Sequence, residues 1–315
     1  MSSSGTPKAL PLLVYAVTPL HVGAGRSLGA VDLPIQRDPY NYPIVISSSF
    51  KGALKSHCIR TYGLDIDEKS GRAKCQDASN PVCCCLFGPE VGDESGSSIL
   101  DITDLIPTFV PLPSLTHGFI YATSTYLLDK ASDVLSLTGD QELLGLISSI
   151  RSSRPTSDVA DAAGVTRLLI RLPQNVSPAL KVIKSLGSLA RKIDEGIIVF
   201  SDDEGAEILE RAYIRVTRNR INIAIKTVAE HALWTEEYLP QGTIFMATLI
   251  PSTPKRNKYC GDEICKSDCF NGKLKDFLDK VSQGSVDANW RLFHVMLGGK
   301  ETVGKGLAKV AIKGP

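Results

Sequence analysis

A chain of 315 residues with 43% apolar content can bury a sizeable core, as one large domain or two ordinary ones. Its 35 lysines and arginines nearly balance its 34 acids, so the formal charge of +1 carries no footprint of a nucleic-acid partner, although a neutral total can hide a basic stripe. No stretch reaches the length of a membrane span, and Met1–Pro11 lacks the charged-then-apolar layout of a signal peptide, so a soluble, cytoplasmic protein without a membrane partner is expected.

The first element is the apolar run Leu12–Thr18, which reads as a buried strand. In the segment His21–Arg37 that follows, Gly23, Gly25 and Gly29 let the backbone turn and bring its N–H groups close to another molecule. A lone carboxylate, Asp32, sits there between apolar neighbours and Pro34. Ser48–Tyr62 reads as a serine-capped helix, with Phe50, Ala53, Leu54, His57 and Cys58 on one face and Lys51, Lys55 and Arg60 on or near the solvent side. Glu68–Ser98, rich in Gly, Ser, Asp and Cys, reads as a long surface loop. Strands are expected at Ile99–Ile102, Leu105–Val110 and Phe119–Thr123, then helices at Thr125–Ser136 and Gln141–Arg151. A strand at Thr166–Arg171 and a helix at Pro178–Lys192 follow. Arg215–Lys226 alternates as a strand, with Ile221, Ile223 and Ile225 forming an apolar anchor face and Arg218, Arg220 and Lys226 a cationic one. Strands at Thr243–Leu249, Leu292–Leu297 and Leu307–Ile312 and a helix at Lys273–Val281 complete the chain. This mixed order suits α+β packing rather than a regular βαβ repeat.

Two nucleotide motifs are approached and missed. The strand-plus-glycine start resembles a dinucleotide fingerprint, but the third glycine is Gly29 where the pattern wants position 28, and Pro34 and Pro39 stand where its helix would run. Gly299, Gly304 and Lys305 mimic a P-loop until Gly306 replaces the required hydroxyl residue, and a strand rather than a helix follows. The eight cysteines include a contiguous Cys83-Cys84-Cys85, poorly placed for a shared metal, and a looser Cys260, Cys265 and Cys269 near Lys255, Arg256 and Lys258. Neither set has paired C-x-x-C spacing, so free thiols are expected and structural zinc is not; disulfides are the alternative, favoured in a hyperthermophile.

The segment His21–Arg37, followed by Ser48-Ser49-Phe50-Lys51-Gly52-Ala53-Leu54-Lys55, resembles the RAMP superfamily of CRISPR proteins. Within it, Val31-Asp32-Leu33-Pro34-Ile35-Gln36-Arg37 is similar to the backbone subunit of the Cmr (type III-B) effector complex. Phe87-Gly88-Pro89 with Gly96–Asp104 is similar to the family's loop-then-strand, Leu233–Pro240 to its acidic Glu-Glu-Tyr-Leu-Pro region, and Gly298–Gly306 to its glycine-rich last loop. The likeness spans nearly the whole chain and is poorest over 63–86, 135–200 and 251–270. It implies a single RAMP domain over 1–315: a ferredoxin-like, RNA-recognition-motif-like palm with insertions near 63–98, 135–200 and 251–270 and a protruding thumb hairpin. It also implies a subunit that stacks on copies of itself and on other Cmr subunits along a guide CRISPR RNA. Such a subunit cleaves complementary target RNA at regular intervals, while base pairing supplies specificity.

The resemblance places Asp32 at the centre of cleavage. A carboxylate beside a phosphodiester can hold a divalent ion, Mg²⁺ or Mn²⁺, or assist proton transfer from a ribose 2′-OH, whose in-line attack leaves a cyclic phosphate and a 5′-OH. The plain alternative is an aspartate making a turn hydrogen bond. The family match adds Glu236 and Tyr238, or Glu237 after a one-residue shift, against a polar strand end before Pro240. His21 is a candidate phosphate donor or acid/base, against a packed histidine at a strand end. Candidate RNA contacts are Gly23, Gly25, Arg26 and Arg37 in the first loop, Ser49, Lys51 and Lys55 at the helix start, Arg218 and Arg220, and Gly298, Gly299, Lys300 and Lys305 in the last loop. Solvated or salt-bridged faces and a tight turn are the alternatives. Competing functions are a non-catalytic guide-binding scaffold, the type III-A (Csm) counterpart and a stand-alone enzyme of small molecules.

Overall fold

Seven consecutive buried residues make β1 (Leu10–Ala16), and a strand apolar on both faces belongs in the middle of a covered sheet. In this computed structural model, which describes residues 8–71, 73–75, 81–89, 96–261, 264–286 and 289–314, that is where it lies. The chain continues through α1 (Ser47–Tyr62), α2 (Val82–Phe87), β2 (Leu100–Ile102), β3 (Ile106–Ser114), β4 (Gly118–Ser124), α3 (Thr125–Ser136) and α4 (Gln141–Ser152). Next come β5 (Val159–Ala162), β6 (Val165–Leu168), α5 (Ser177–Leu186), β7 (Ile197–Phe200), α6 (Asp202–Glu210), β8 (Ile214–Ile221) and β9 (Val228–Tyr238). Last are β10 (Ile244–Pro251), β11 (Lys255–Arg256), β12 (Ile264–Cys265), α7 (Ser267–Val281), β13 (Gly284–Val286), β14 (Trp290–Met296) and β15 (Leu307–Lys313).

The main sheet runs β13-β14-β15-β1-β10-β3-β4-β7, with β2 also on β10. Every pairing in it is antiparallel except β4 with β7. Helix α3 packs on β3, β4 and β10, α5 on β1, β13 and β15, and α1 and α7 on β14, which is the α+β architecture expected. The hairpin β8–β9 stands outside this sheet as its own two-stranded ladder.

Several expectations need correction. Helix α1 buries Phe50, Ala53, Leu54 and Cys58 as its spacing requires, but no serine caps it. The Ser47 amide instead donates to Asp104 Oδ1 at 2.7 Å, a cap supplied from the loop before β3. The Glu68–Ser98 stretch is not all surface loop. Within its described part, all six residues of α2 are buried, and Phe87 meets Phe277 edge-on at 5.6 Å; 72, 76–80 and 90–95 lie outside the described residues.

Free thiols are not found. The cysteines pair as Cys58–Cys83, Cys75–Cys84, Cys85–Cys260 and Cys265–Cys269, leaving none free. Consecutive helical residues point about 100° apart, so Cys83, Cys84 and Cys85 reach three different segments, and α2 becomes a covalent hub. The apolar anchor face of Arg215–Lys226 also fails. Strand β8 ends at Ile221, the chain then turns, and Ile221, Ile223 and Ile225 are 55%, 82% and 66% exposed because no second layer covers the hairpin tip.

Candidate active site

After β1 the chain runs as a ragged strand that laces two elements together. Leu20 bridges Leu239, His21 bridges Gly299, Gly23 bridges Ile35, and Leu33 runs parallel to Glu236. These bridges bring the first glycine loop, the end of β9 and the Gly298–Gly306 loop into one place. No helix follows the first glycines, as the broken fingerprint predicted.

Three successive residues of β9 each hold a different group, and strand alternation decides which. Thr235 holds Asp32: its amide and hydroxyl donate to Asp32 Oδ2 at 2.7 and 2.8 Å, and the Asp32 amide donates back to Thr235 Oγ1 at 3.0 Å. The Thr235 amide and then its hydroxyl hold the Asp32 carboxyl below the usual carboxylate range, with help from nearby Arg26. Asp32 is exposed, so it is an ionised carboxylate at the rim of the site.

Glu236 faces the other way, on the side of Trp234 and Tyr238. Its Oε1 accepts from Lys300 Nζ at 2.6 Å and Trp234 Nε1 at 2.7 Å, and its Oε2 accepts from the Tyr238 hydroxyl and from Arg218 Nε at 3.3 Å. Burial pushes its pKa up, but Lys300, Tyr238 and Trp234 together outweigh that and hold it at about 2. The Tyr238 hydroxyl is pushed up by burial and by its bond to Glu236, and Lys305 Nζ lies 5.5 Å from its ring centroid. Glu237, 1% exposed, accepts both bonds of the Arg37 Nη2 fork at 3.0 Å, Arg215 Nε at 3.2 Å and the Ile35 amide at 3.3 Å. Arg37 is also paired with Glu210 at 3.1 Å.

The structure thus gathers Asp32, Glu236, Tyr238, His21, Arg37, Arg218, Lys300 and Lys305 around the end of β9, yet only Asp32 among the acids stands exposed. Glu236 and Tyr238 are buried with their polar atoms turned on each other. His21 is 7% exposed, with Nδ1 2.8 Å from the Glu237 carbonyl and its ring 5.5 Å from Tyr238. Gly23 leaves room for that ring, since a Cβ there would sit 2.8 Å from His21 Nε2. Gly298, at φ +84°, lets the last loop approach the His21 carbonyl, which a Cβ would meet at 2.4 Å; Gly299 pairs with the same residue. Gly25, at φ +95°, has open space around it, and Arg26 and Arg220 are exposed.

The helix-start candidates lie apart. Lys51 Nζ donates to Ser98 Oγ and to the Leu100 carbonyl, both at 2.7 Å, and burial lowers its pKa. Ser49 and Lys55 are half-buried on α1. Sequence reasoning missed Thr235, Trp234, Arg215 and Glu210; the alternation of β9 was the signal for the first two. A cleft of about 400 Å³ between Lys8–Pro11 and Thr138–Glu142 contains none of the candidate residues.

Residues 13–309 match the RAMP superfamily. The CRISPR system CMR subunit Cmr4 of Saccharolobus solfataricus is 28% identical over 95% of this chain and 95% of its own length. The CRISPR system Cmr endoribonuclease Cmr4 of Pyrococcus furiosus is 28% identical over 97% of this chain and 96% of its own. A chain in the cryo-EM structure of the type III-B Cmr-beta complex bound to cognate target RNA superimposes with a TM-score of 0.71 at 25% identity, covering 98% of each chain.

Proposed function

This chain belongs to the RAMP superfamily, and on that premise we propose that it is a repeated backbone subunit of a type III-B CRISPR ribonucleoprotein. It binds guide RNA and cuts complementary target RNA at regular intervals, stacked on copies of itself and on other Cmr subunits. The whole chain acts as one RAMP domain with insertions, and β8–β9, standing off the main sheet with its tip exposed, is its thumb. Full-length similarity to a Cmr endoribonuclease and to a chain of an RNA-bound Cmr complex supports this reading.

The observation that carries it is Asp32, an exposed, ionised carboxylate clamped at a fixed place by Thr235. Both Thr235 bonds fall on Oδ2, so Oδ1 is the oxygen left for a ligand. An exposed carboxylate with one oxygen to spare fits Mg²⁺ or Mn²⁺, which keep waters and take few protein ligands. Asp32 would hold such an ion, which supplies charge neutralisation at the phosphodiester. Glu236 keeps Lys300 and Arg218 in place beside the rim, where they can meet phosphate oxygens. Glu236 and Tyr238 therefore act as positioning residues, and His21 fixes the approach of the two glycine loops.

The test is cleavage of a labelled RNA complementary to the guide, by complexes assembled with wild-type or Asp32→Ala subunits, with and without Mg²⁺ or Mn²⁺. Regular metal-dependent cuts that vanish in the variant, with assembly intact, are expected. Equal cutting by both complexes would falsify the role of Asp32, and tight target binding with no cuts from either would make the chain a scaffold.

A further inference from the structure

Away from the acidic cluster, four sulfur atoms converge. Cys85 of α2, Cys260, Cys265 at the end of β12 and Cys269 in the first turn of α7 have Sγ atoms all within 4.8 Å of one another, three of the residues being buried and Cys269 half-buried. They form two disulfides, Cys85–Cys260 and Cys265–Cys269. We propose that, once these two disulfides are reduced, the same four sulfurs bind one zinc ion as a tetrathiolate centre.

The distances suit it. A tetrahedral site with Zn–S bonds of about 2.3 Å separates its sulfurs by about 3.8 Å, a spacing between that of the bonded pairs and the 4.8 Å limit of the cluster. The spacing suits it as well. Cys260 and Cys265 are separated by four residues, within the range of a zinc knuckle, and Cys269 follows after three more. Read separately, the two cysteine sets argued against zinc; the fold adds Cys85 of the first set to the three of the second.

The backbones that carry these ligands are held together without the sulfur–sulfur bonds. Asn257 Nδ2 donates to the carbonyls of Cys84, Cys85 and Ser97 at 3.1, 3.2 and 3.0 Å, tying α2 to the loop before Cys260. The Cys260 amide donates to the Asn257 carbonyl at 3.0 Å, and Cys265 pairs with Lys255 in the β11–β12 ladder. A reduced chain therefore keeps its ligands clustered, the preorganisation a metal site needs. Four thiolates and Zn²⁺ leave two net negative charges, and the ligand-bearing segment supplies Lys255, Arg256, Lys258 and Lys266 against them.

The chemistry balances. Each disulfide takes two electrons from a phosphine and two protons from water, whose oxygen leaves on the phosphine as its oxide. The two reactions yield four thiols, and binding of Zn²⁺ as a tetrathiolate releases four protons. Cys58–Cys83 and Cys75–Cys84 lie outside this group and serve as internal references.

The test reduces the full chain anaerobically with a water-soluble phosphine, adds zinc chloride, removes unbound metal and counts zinc per chain. Alkylation with mass-spectrometric mapping then identifies which thiols the metal protects, and cobalt substitution reports coordination by its absorption. One zinc per chain, protection confined to Cys85, Cys260, Cys265 and Cys269, and the intense visible bands of tetrahedral tetrathiolate cobalt are expected. Cys265→Ser should lose the metal and Cys58→Ser should keep it; if either fails to fold, the wild-type protection map decides. Absence of stoichiometric zinc, protection of other cysteines, or equal alkylation of all eight overturns the proposal.

Discussion

Glu237 is a buried carboxylate on which two guanidinium groups converge. It is 1% exposed and answers Arg37, Arg215 and the Ile35 amide at once, whereas Arg215 is about half exposed and contributes less through solvent screening. Removing the acid leaves the Arg37 guanidinium partly buried with, among the described residues, only Glu210 and Asn41 to accept from it. Glu237→Ala is therefore expected to lower unfolding free energy by about 3 kcal/mol, read from urea denaturation. A loss within about 0.5 kcal/mol, ordinary for a surface site, would mean that the pairs contribute nothing net. Glu236 makes a prediction about pH instead. Its pKa falls from the ordinary 4.5 to about 2 on folding, so the folded state binds its proton later than the unfolded chain. The stabilisation is complete above about pH 4.5 and is lost as the pH falls toward 2. The difference in Tm between wild type and Glu236→Gln should hold constant from pH 7 to 5 and then shrink through that window. A difference that grows on acidification contradicts the assigned direction.

At the scale of elements, those with strong periodicity were legible and those defined by partners were not. The helix at Thr125–Ser136 stands where the spacing put it, and the strands at Thr243–Leu249 and Leu307–Ile312 are each within two residues of their observed ends. Of strand β9 the sequence offers only a polar strand end before Pro240, because its charged and polar residues pair in a ladder that stands off the main sheet. The site that β9 organises was accordingly half visible. Asp32, Glu236 and Tyr238 stand out through resemblance, while Thr235 acts through its bonds to the Asp32 loop and Arg215 through cross-strand pairing with Glu237. The hairpin tip shows the reverse error: an alternation of isoleucines promised a buried face where the structure exposes them. Exposed side chains in a turn contribute little to folding, so Ile223→Ser with Ile225→Ser should change stability by no more than about 0.5 kcal/mol. If β8–β9 meets RNA, the same double variant should weaken binding of guide-paired target in a filter assay. A large loss of stability would show that the tip packs on the chain, and unchanged binding would remove it from the interface.

On the scale of the whole molecule, the covalent links decide how far a reduced chain can loosen. Helix α2 is too short to stand alone; it is fully buried, tied to Asn257 by hydrogen bonds and bonded to three other segments, Cys75 close by in sequence and Cys58 and Cys260 farther off. A sequence shows the number of cysteines but not their partners, and unpaired spacing in an intracellular chain favours free thiols, so the pairing is legible only in the fold. In the chain-entropy picture a disulfide restricts the unfolded state more as the loop it closes lengthens. Cys85–Cys260 spans 175 residues, Cys58–Cys83 spans 25, Cys75–Cys84 spans 9 and Cys265–Cys269 spans 4. In chelator-containing buffer, where no metal replaces the links, full reduction should lower the urea midpoint markedly. The paired Cys85→Ala and Cys260→Ala variant should account for the largest single share, about 5 kcal/mol if the unfolded-state entropy dominates. The paired Cys265→Ala and Cys269→Ala variant should cost least, because its loop is already short. Equal losses from all four pairs would place the effect in native packing around the cysteines rather than in the unfolded chain, since buried cysteines also fill core volume that alanine leaves empty.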